Sequence, residues 1–421
     1  MTATTLEATP VARPSWWTRP RKVGASLVIL GVAAAVLFGA LAKGGRDARF
    51  TFGTSTAGAG ISIPDKAGAI GFGVLCAACG AALLAGVPAR WLRWLASLGG
   101  FGFVMSFLCW QVAGHTTPLG DLTQGSVLVA IPLVFGAMGG VIGERTGVVN
   151  VAIEGQILFG AFLGALMGTV AASAWAGLLA AAVAGALVGV LLAVLAIRYL
   201  VDQVVLGVVL NLLVLGLTSF LYLRVMQSDP ERYNDPPRFE SWAIPGLSKI
   251  PLVGPALFDG NVLLYIAIVL VIVVHVGLFH TRWGLRTRAV GEHPTAADTV
   301  GIRVRGTRYR NVIVAGAIAG LGGAFLTVGN VGQFNINMSA GKGFIALAAV
   351  IFGRWTPVGA TLAALLFGFS GKLAQLLGVL GSSIPNEFLG MLPYLATIIA
   401  VAGLVGQVRA PAADGKPYVQ G

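Results

Sequence analysis

Residues 141–169 read VIGERTGVVNVAIEGQILFGAFLGALMGT, which places charged and amide side chains against an apolar run of membrane-spanning length. In a helix, Asn150 and Glu154 would share one face, because side chains four residues apart lie one above the other. An ionised carboxylate at the centre of a membrane helix costs about 3 kcal/mol to insert. We therefore predict that Glu154 faces a water-filled cavity or a partner, which makes this stretch a candidate site.

The composition of the whole chain is typical of a membrane protein. Of its 421 residues, 56% are hydrophobic and 10% are charged, whereas about 25% are charged in an average soluble domain. The chain also holds 60 glycines, and small residues let membrane helices approach closely. The composition predicts an all-α, polytopic integral membrane protein.

Apolar runs recur along the chain at lengths suited to transmembrane helices. A hydrocarbon core of about 30 Å needs about 20 helical residues. We predict about 10 to 12 transmembrane helices, with broken helices among them, because the run 343–353 is too short to span alone. Glycines four residues apart, such as Gly160 with Gly164 and Gly316 with Gly320, predict close helix packing. The apolar runs are 24–42, 67–87, 95–113, 123–143, 149–170, 172–197, 203–225, 261–280, 311–330, 343–353, 358–380 and 387–406.

The distribution of Lys and Arg predicts the orientation. With the N-terminus in the cytoplasm and the sides alternating, eighteen of the 28 Lys and Arg residues fall inside. This asymmetry agrees with the positive-inside rule. Both termini are then cytoplasmic, the loop 226–260 lies outside, and the Arg-rich segment 281–310 lies inside.

Several classes of function find no support in the sequence. The net charge of +12 lies at the ends of the apolar runs, with no basic face interleaved with aromatic residues, so no nucleic-acid partner is expected. Cys76, Cys79 and Cys109 lie inside apolar runs, which favours buried thiols over a redox or metal site. Neither Gly341-Lys342 nor Gly371-Lys372 continues as a GxxxxGK[ST] phosphate-binding loop. We predict no metal site, no catalytic site and no cofactor bound by this chain.

Polar side chains gather near two interruptions of the apolar runs, at 143–155 and 329–343. Paired interruptions in the two halves of a chain mark the binding site in transporters built from repeats. Carboxamides donate and accept hydrogen bonds without charge, which suits a neutral polar solute such as a sugar or nucleoside. The alternative is that these groups only bond neighbouring helices. The candidate residues of a substrate path are Asn150, Glu154, Gln156, Asn211 and Asn335.

The segment 284–304, GLRTRAVGEHPTAADTVGIRV, combines charge with an amphipathic pattern. Pro294 is placed to start a short helix, in which Ala296, Ala297 and Val300 stand among charged residues. A short cytoplasmic helix of this kind would pass force to a partner subunit. The alternative is a solvated basic loop that only maintains the topology.

Three blocks in this order resemble the permease subunits of bacterial ABC importers of the branched-chain amino acid, ribose and nucleoside type. They are GERTGVVNVAIEGQILFGAF, GLRTRAVGEHPTAADTVGI and GKGFIALAAVIFGRWTPVGA. The form GVVNVAIEG is similar to the nucleoside and simple-sugar branch. His293 and Gln156 depart from the pattern of the family.

The resemblance implies an ATP-driven importer in which this chain is the permease and not an enzyme. It implies three protein partners: a cytoplasmic ATPase that binds the ATP, a second permease subunit that is a paralogue or a copy of this chain, and an extracytoplasmic substrate-binding lipoprotein. The complex is expected in the lipid of a bacterial cell membrane. The alternatives are a permease for a simple sugar such as ribose or galactose, a secondary transporter and, with least support, an intramembrane enzyme.

The resemblance also implies how the chain is divided. A cytoplasmic tail, 1–23, precedes an N-terminal transmembrane extension, 24–119, which the motifs do not cover. The permease domain is expected at 120–410 and a cytoplasmic tail at 411–421. Coupling to the ATPase is expected at Arg286, Gly291, Glu292, Ala296, Ala297 and Gly301.

Overall fold

The computed structural model describes residues 18–381 and 409–419, together with residues 388 and 391. Within those residues, ten helices are long and apolar enough to cross a membrane, which confirms the prediction of an all-α polytopic membrane protein. The predicted run 387–406 and most of the predicted tail 1–23 lie outside the described residues. The chain divides into two compact units, residues 1–50 with 61–117, and residues 51–60 with 118–421.

The first unit is built from three apolar helices whose packing depends on glycine. A Cβ atom on Gly31 would lie 2.3 Å from the amide nitrogen of Ala77, so the two backbones meet directly. The three cysteines are buried free thiols, as predicted. The helices are α1 (Arg19–Leu41), α2 (Asp65–Leu84) and α3 (Leu92–Gln111). The strands β1 (Asp47–Thr51), β2 (Gly60–Pro64) and β3 (Thr116–Pro118) form a sheet in the order β2-β1-β3.

The described part of the second unit contains twelve helices and one pair of short strands. The helices are α4 (Leu119–Glu144), α5 (Ile153–Val170), α6 (Ala174–Ala193), α7 (Gln203–Leu221), α8 (Pro230–Tyr233), α9 (Val253–Phe258), α10 (Val262–His280), α11 (Arg282–Glu292), α12 (Pro294–Thr299), α13 (Val304–Leu326), α14 (Lys342–Phe352) and α15 (Pro357–Val379). Strand β4 (Ser241–Ala243) pairs antiparallel with β5 (Asp259–Asn261). Short π-helical turns extend α6, α7 and α13.

Helices α4, α5 and α13 form the buried centre of the second unit. The most apolar window of α4 is 83% buried, whereas that of α7 is 33% buried and leaves an apolar face suited to lipid. A Cβ on Gly160 would lie 2.4 Å from the carbonyl oxygen of Gly320, and one on Gly320 would lie 2.2 Å from that of Ala181. The predicted close packing at these glycines is therefore confirmed, and it brings α5, α6 and α13 into backbone contact.

The structure contains both predicted interruptions, but α5 starts at Ile153 and not at the predicted residue 149. Helix α4 ends at Glu144 and α5 begins at Ile153, so Asn150 precedes the helix. The expectation that Asn150 and Glu154 share a helix face was wrong, because residues 148–152 are not helical and α5 starts three residues after Asn150. The second interruption ends at α14, whose 11 residues are too few to span a membrane alone.

Candidate translocation and coupling sites

The Glu154 carboxylate, in the first turn of α5, binds the start of α14. Its Oε1 accepts hydrogen bonds from the Ser339 hydroxyl at 2.6 Å and from the Gly341 amide at 2.8 Å. Its Oε2 accepts from the Gly343 amide at 2.6 Å. A helix N-terminus leaves free amides and carries partial positive charge, so a carboxylate is stabilised there. The insertion cost of Glu154 is offset by α14 itself.

The first turns of α5 and α14 are in backbone contact at Gly343. A Cβ atom on this residue would lie 2.3 Å from the amide nitrogen of Glu154 and 2.4 Å from its Cα. Just before it, Gly341 adopts a left-handed φ of +80°, which glycine tolerates best. Glycine at these two positions is what allows the two interrupted spans to meet.

Amide side chains hold the turn before α5. Asn150 and Gln156 are fully buried and bond to each other, with Asn150 Nδ2 donating to Gln156 Oε1 at 3.0 Å. From α7, Asn211 Oδ1 accepts from the Gly155 amide at 2.8 Å, and its Nδ2 donates to the Val151 carbonyl at 2.9 Å. Gln203 Oε1 accepts from the Val149 amide at 2.7 Å. Each of these amides satisfies backbone or side-chain groups of an irregular buried segment.

The predicted path residues therefore fall into two groups. Asn150, Glu154, Gln156 and Asn211 come together around the start of α5, are buried, and have protein hydrogen-bond partners. Asn335 is exposed and lines a cavity of about 460 Å³ between α4, α13, α14 and α15. Sequence reasoning missed Gln203 and Ser339. For Ser339, the available signal was a hydroxyl residue shortly before the glycine that precedes α14.

The turn that follows α4 is also bound to the turn between α14 and α15. Arg145 Nε donates to the Trp355 carbonyl at 2.8 Å. The Trp355 indole Nε1 donates to the Glu144 carboxylate. The ends of α4 and α14 are thereby held together. The charge pattern predicts that this end of the two helices faces the cytoplasm.

Helices α11 and α12 form the segment predicted to couple to an ATPase, and α12 starts at Pro294 as the sequence predicted. The Trp283 indole donates to Asn311 Oδ1 at 2.9 Å, and Asn311 Nδ2 donates to Thr146 Oγ1 at 3.1 Å. A Cβ on Gly291 would lie 2.2 Å from the Arg145 carbonyl oxygen. The segment is therefore attached to the turn that precedes α5.

The predicted coupling residues divide by exposure. Gly291 and Ala297 are buried, whereas the other four are exposed. Gly291 belongs to the attachment, and Ala297 packs in an apolar cluster with Val290 and Val304. Two large apolar side chains accompany the exposed residues, Leu285 at 63% and Val300 at 75% exposure. The exposed predicted residues are Arg286, Glu292, Ala296 and Gly301.

The C-terminal residues 409–419 pack against the same segment, which no sequence pattern indicated. The Ala413 amide donates to the Gly291 carbonyl at 2.9 Å. Tyr418 is 7% exposed and packs in an apolar cluster with Val290, Ala297 and Val304. Burial raises the pKa of Asp414 in this tail to about 7. The tail thus forms part of the fold around α11 and α12.

A family model described as the permease component of the branched-chain amino acid transport system matches residues 122–401. The match covers most of the second unit and leaves out α1, α2 and α3. No solved structure matches the chain.

Three curated relatives align along most of their own lengths. The guanosine ABC transporter permease protein NupQ of Bacillus subtilis is 41% identical, covering 72% of this chain and 98% of the relative. The nucleoside ABC transporter permease protein NupC of Lactococcus lactis is 40% identical, covering 71% and 96%. A putative glucose ABC transporter permease protein, TsgC13 of Haloferax volcanii, is 33% identical, covering 67% and 90%.

Proposed function

Because this chain belongs to the permease-component family of the branched-chain amino acid transport system, we propose that it is the membrane subunit of an ATP-driven nucleoside importer. The observation that carries the substrate class is the likeness to two permeases named for guanosine and nucleosides. Both are at least 40% identical and are covered over at least 96% of their lengths. The relative named for glucose is 33% identical, so a simple sugar is the alternative.

The proposed importer needs partners that supply what this chain lacks. ATP would bind to a separate cytoplasmic ATPase, since none of the chain's three Gly-Lys sequences, at Gly341, Gly371 and Gly415, continues as a phosphate-binding loop. A second permease subunit and an extracytoplasmic binding lipoprotein would complete the complex in a bacterial cell membrane. Both termini of this chain would lie in the cytoplasm, as the distribution of Lys and Arg indicates.

We infer a route for force from the ATPase to the substrate path. The exposed side of α11 and α12 would receive the ATPase, and the contact of Gly291 with the Arg145 carbonyl would pass its movement to the turn before α5. From there, the bonds of Glu154 to Ser339, Gly341 and Gly343 lead to α14. Coupling in proteins travels through contiguous packed networks of this kind.

Within this route, we assign different roles to the two groups of candidate path residues. Asn335 lines the path, because its side chain is exposed to the cavity. Glu154 braces the two helix starts, because three protein donors already occupy its oxygens. Asn150, Gln156 and Asn211 support the same brace through their own hydrogen bonds.

Uptake into proteoliposomes tests the proposed function. The chain would be assembled with its ATPase, partner permease and binding protein, and radiolabelled guanosine, ribose and glucose would be supplied separately. We expect ATP-dependent uptake of guanosine that unlabelled adenosine reduces and ribose does not. Uptake of ribose or glucose without guanosine would support the sugar permease. Guanosine uptake by a complex whose ATPase cannot hydrolyse ATP would support a secondary transporter.

A further inference from the structure

The cavity lined by Asn335 joins polar groups with an apolar wall. Its volume is about 460 Å³, which lies within the range of about 300–1,000 Å³ for small-molecule sites. Apolar side chains such as Leu128, Pro132 and Phe325 form one part of the lining. The polar part includes Asn335, Lys342 and Lys372.

Each of the two lysines has a carboxylate nearby, and of the two only Lys372 forms a salt bridge with it. The Lys372 ammonium lies 3.0 Å from Asp121 Oδ2 in a salt bridge. Glu154 acts electrostatically on Lys342, whose ammonium also donates to the Ser339 carbonyl at 3.2 Å. Counted together, these two cations and two carboxylates give no net formal charge around the cavity.

The first turn and a half of α4 is shaped to accommodate the Lys372 side chain. A Cβ on Gly125 would lie 2.4 Å from Lys372 Cε and 2.9 Å from its Nζ. The absence of a side chain at Gly125 lets the lysine stem lie against α4 and reach Asp121, one turn earlier on the same helix. The missing side chain at Gly125 thus allows the ion pair between α4 and α15 to form beside the cavity.

A second cavity, of about 520 Å³, adjoins the first and leads towards the long loop between α7 and α10. Both cavities are lined by Leu128 and Asn330. The second cavity carries charges of both signs, from Arg238, Glu240 and Asp259. Neither cavity presents the cluster of unpaired cations that recognises a phosphate group.

We propose that the cavity at Asn335 receives a neutral solute with an apolar face, and that the Asp121–Lys372 pair makes it reject anionic relatives of that solute. This inference rests on the proposed function: the solute would be a nucleoside, and the rejected relatives would be nucleoside phosphates. The apolar wall would contact the base, while the amide and amine groups would contact polar atoms. A phosphate would have to displace Asp121 from Lys372 and would be repelled by the Asp121 and Glu154 carboxylates.

Cysteine labelling at the cavity tests the charge balance directly. The three native cysteines, all buried, would be replaced by alanine, and Asn335→Cys would be introduced. Labelling rates would be compared for an anionic and a cationic methanethiosulfonate reagent. We expect Asp121→Asn to raise the anionic-to-cationic rate ratio about threefold, which a partly exposed ion pair can support. Lys372→Gln should lower the ratio, and the double variant should restore it.

The matched control is Glu231→Gln, which removes the same charge from an exposed residue that lines neither cavity. It should leave the ratio unchanged. Copurification with the ATPase shows that each variant is assembled. An unchanged ratio in an assembled Asp121→Asn variant would overturn the charge balance.

Ligand protection tests the choice of solute in the same background. Guanosine should slow labelling of Asn335→Cys, whereas guanosine 5′-monophosphate should protect only when Asp121→Asn is also present. Equal protection by both ligands without that change would overturn the inference. So would a lack of protection in a complex that takes up guanosine. A wild-type complex that takes up no nucleoside would refute the proposed function. The charge balance, which the methanethiosulfonate reagents measure independently of uptake, would not be affected by that result.

Discussion

The starts of α5 and α14 have similar positions in the fold but are surrounded by different side chains. Each follows an interrupted span, and their first turns touch through Gly343. The start of α5 is buried and held by paired amides, whereas the start of α14 is made of glycines and borders a cavity with Asn335 and Lys342. This difference supports our proposal that the first helix start is a support and that the second meets solute.

The largest effect is expected from Gly343→Val, which puts side-chain atoms where the two helix starts touch. The added Cβ would meet the Glu154 backbone, which cannot move aside as a flexible side chain can. Overpacking typically costs about 1–3 kcal/mol, occasionally more. We expect the yield of complex that copurifies with the ATPase to fall below about a tenth of wild type.

Gly216→Val is the control for that change. It adds the same atoms to an exposed position of α7 with nothing within 4 Å of its Cβ. Its yield should match wild type. A normal yield of assembled Gly343→Val complex would show that the two helix starts do not depend on backbone contact.

The next largest effect is expected from Gly291→Ala. This change lies at the contact through which we propose that force reaches the turn before α5. Its Cβ would push on the Arg145 carbonyl and on the turn before α5. We expect guanosine uptake to fall about tenfold, because a lost or distorted buried contact costs about 1–3 kcal/mol. Assembly with the ATPase should persist. Uptake and substrate-stimulated ATP hydrolysis would be measured together.

Gly306→Ala is the matched control, because its Cβ would meet only the Arg303 side chain, at 3.8 Å. It should leave both uptake and ATP hydrolysis as in wild type. Normal uptake in Gly291→Ala would count against force transfer through this contact.

Glu154→Gln tests whether the carboxylate braces the helix starts or contacts solute. Three donors now bind the two carboxylate oxygens of Glu154, whereas a glutamine side chain has only one acceptor oxygen. An unsatisfied buried donor costs about 1–3 kcal/mol. We expect a lower unfolding temperature and less assembled complex, with uptake per assembled complex within about twofold of wild type. A selective loss of uptake per complex would return Glu154 to the substrate path.

The amide pair that supports α5 should show strong coupling between its two members. Asn150→Leu or Gln156→Leu alone would leave the other buried amide without its partner, at a cost of about 1–3 kcal/mol. The double variant should lose less than the sum of the single variants. Thermal unfolding of the four forms in detergent gives the coupling, and additive losses would mean that the pair does not act as a unit.

The sequence was informative where a pattern is local. Apolar length predicted the spans, glycine and polar residues predicted both interruptions, and Pro294 predicted the start of α12. The same rules failed for Asn150, because the apolar run begins at 149 whereas α5 begins only at Ile153, and apolar length alone could not show that difference.

Partners distant in sequence were beyond such rules. Glu154 bonds residues about 185 positions away, and the Ala413 amide bonds Gly291 across more than 120 positions. The polar character of Glu154 predicted that it needs a partner, since an isolated charge in the membrane is costly. It did not show whether the partner is solute or protein. The cavity at Asn335 likewise depends on four helices whose arrangement no single stretch specifies.

The smallest structural effect, and the sharpest contrast with α5, is expected from Asn335→Ala. The side chain is exposed to the cavity before α14, so its removal opens space without leaving a buried group unpaired. The unfolding temperature should stay within about 1 °C of wild type, since exposed substitutions usually change stability by less than about 0.5 kcal/mol. Guanosine uptake per assembled complex should fall about threefold to tenfold, because one hydrogen bond to solute contributes about 0.5–1.5 kcal/mol. Asn337→Ala is the neighbouring control, an exposed asparagine outside the cavity lining; because its φ of +56° disfavours alanine, Asn337→Gly is tested beside it. If Asn335→Ala lowers the unfolding temperature as Asn150→Leu does and leaves uptake per complex intact, the start of α14 is a second support and the proposed path lies elsewhere.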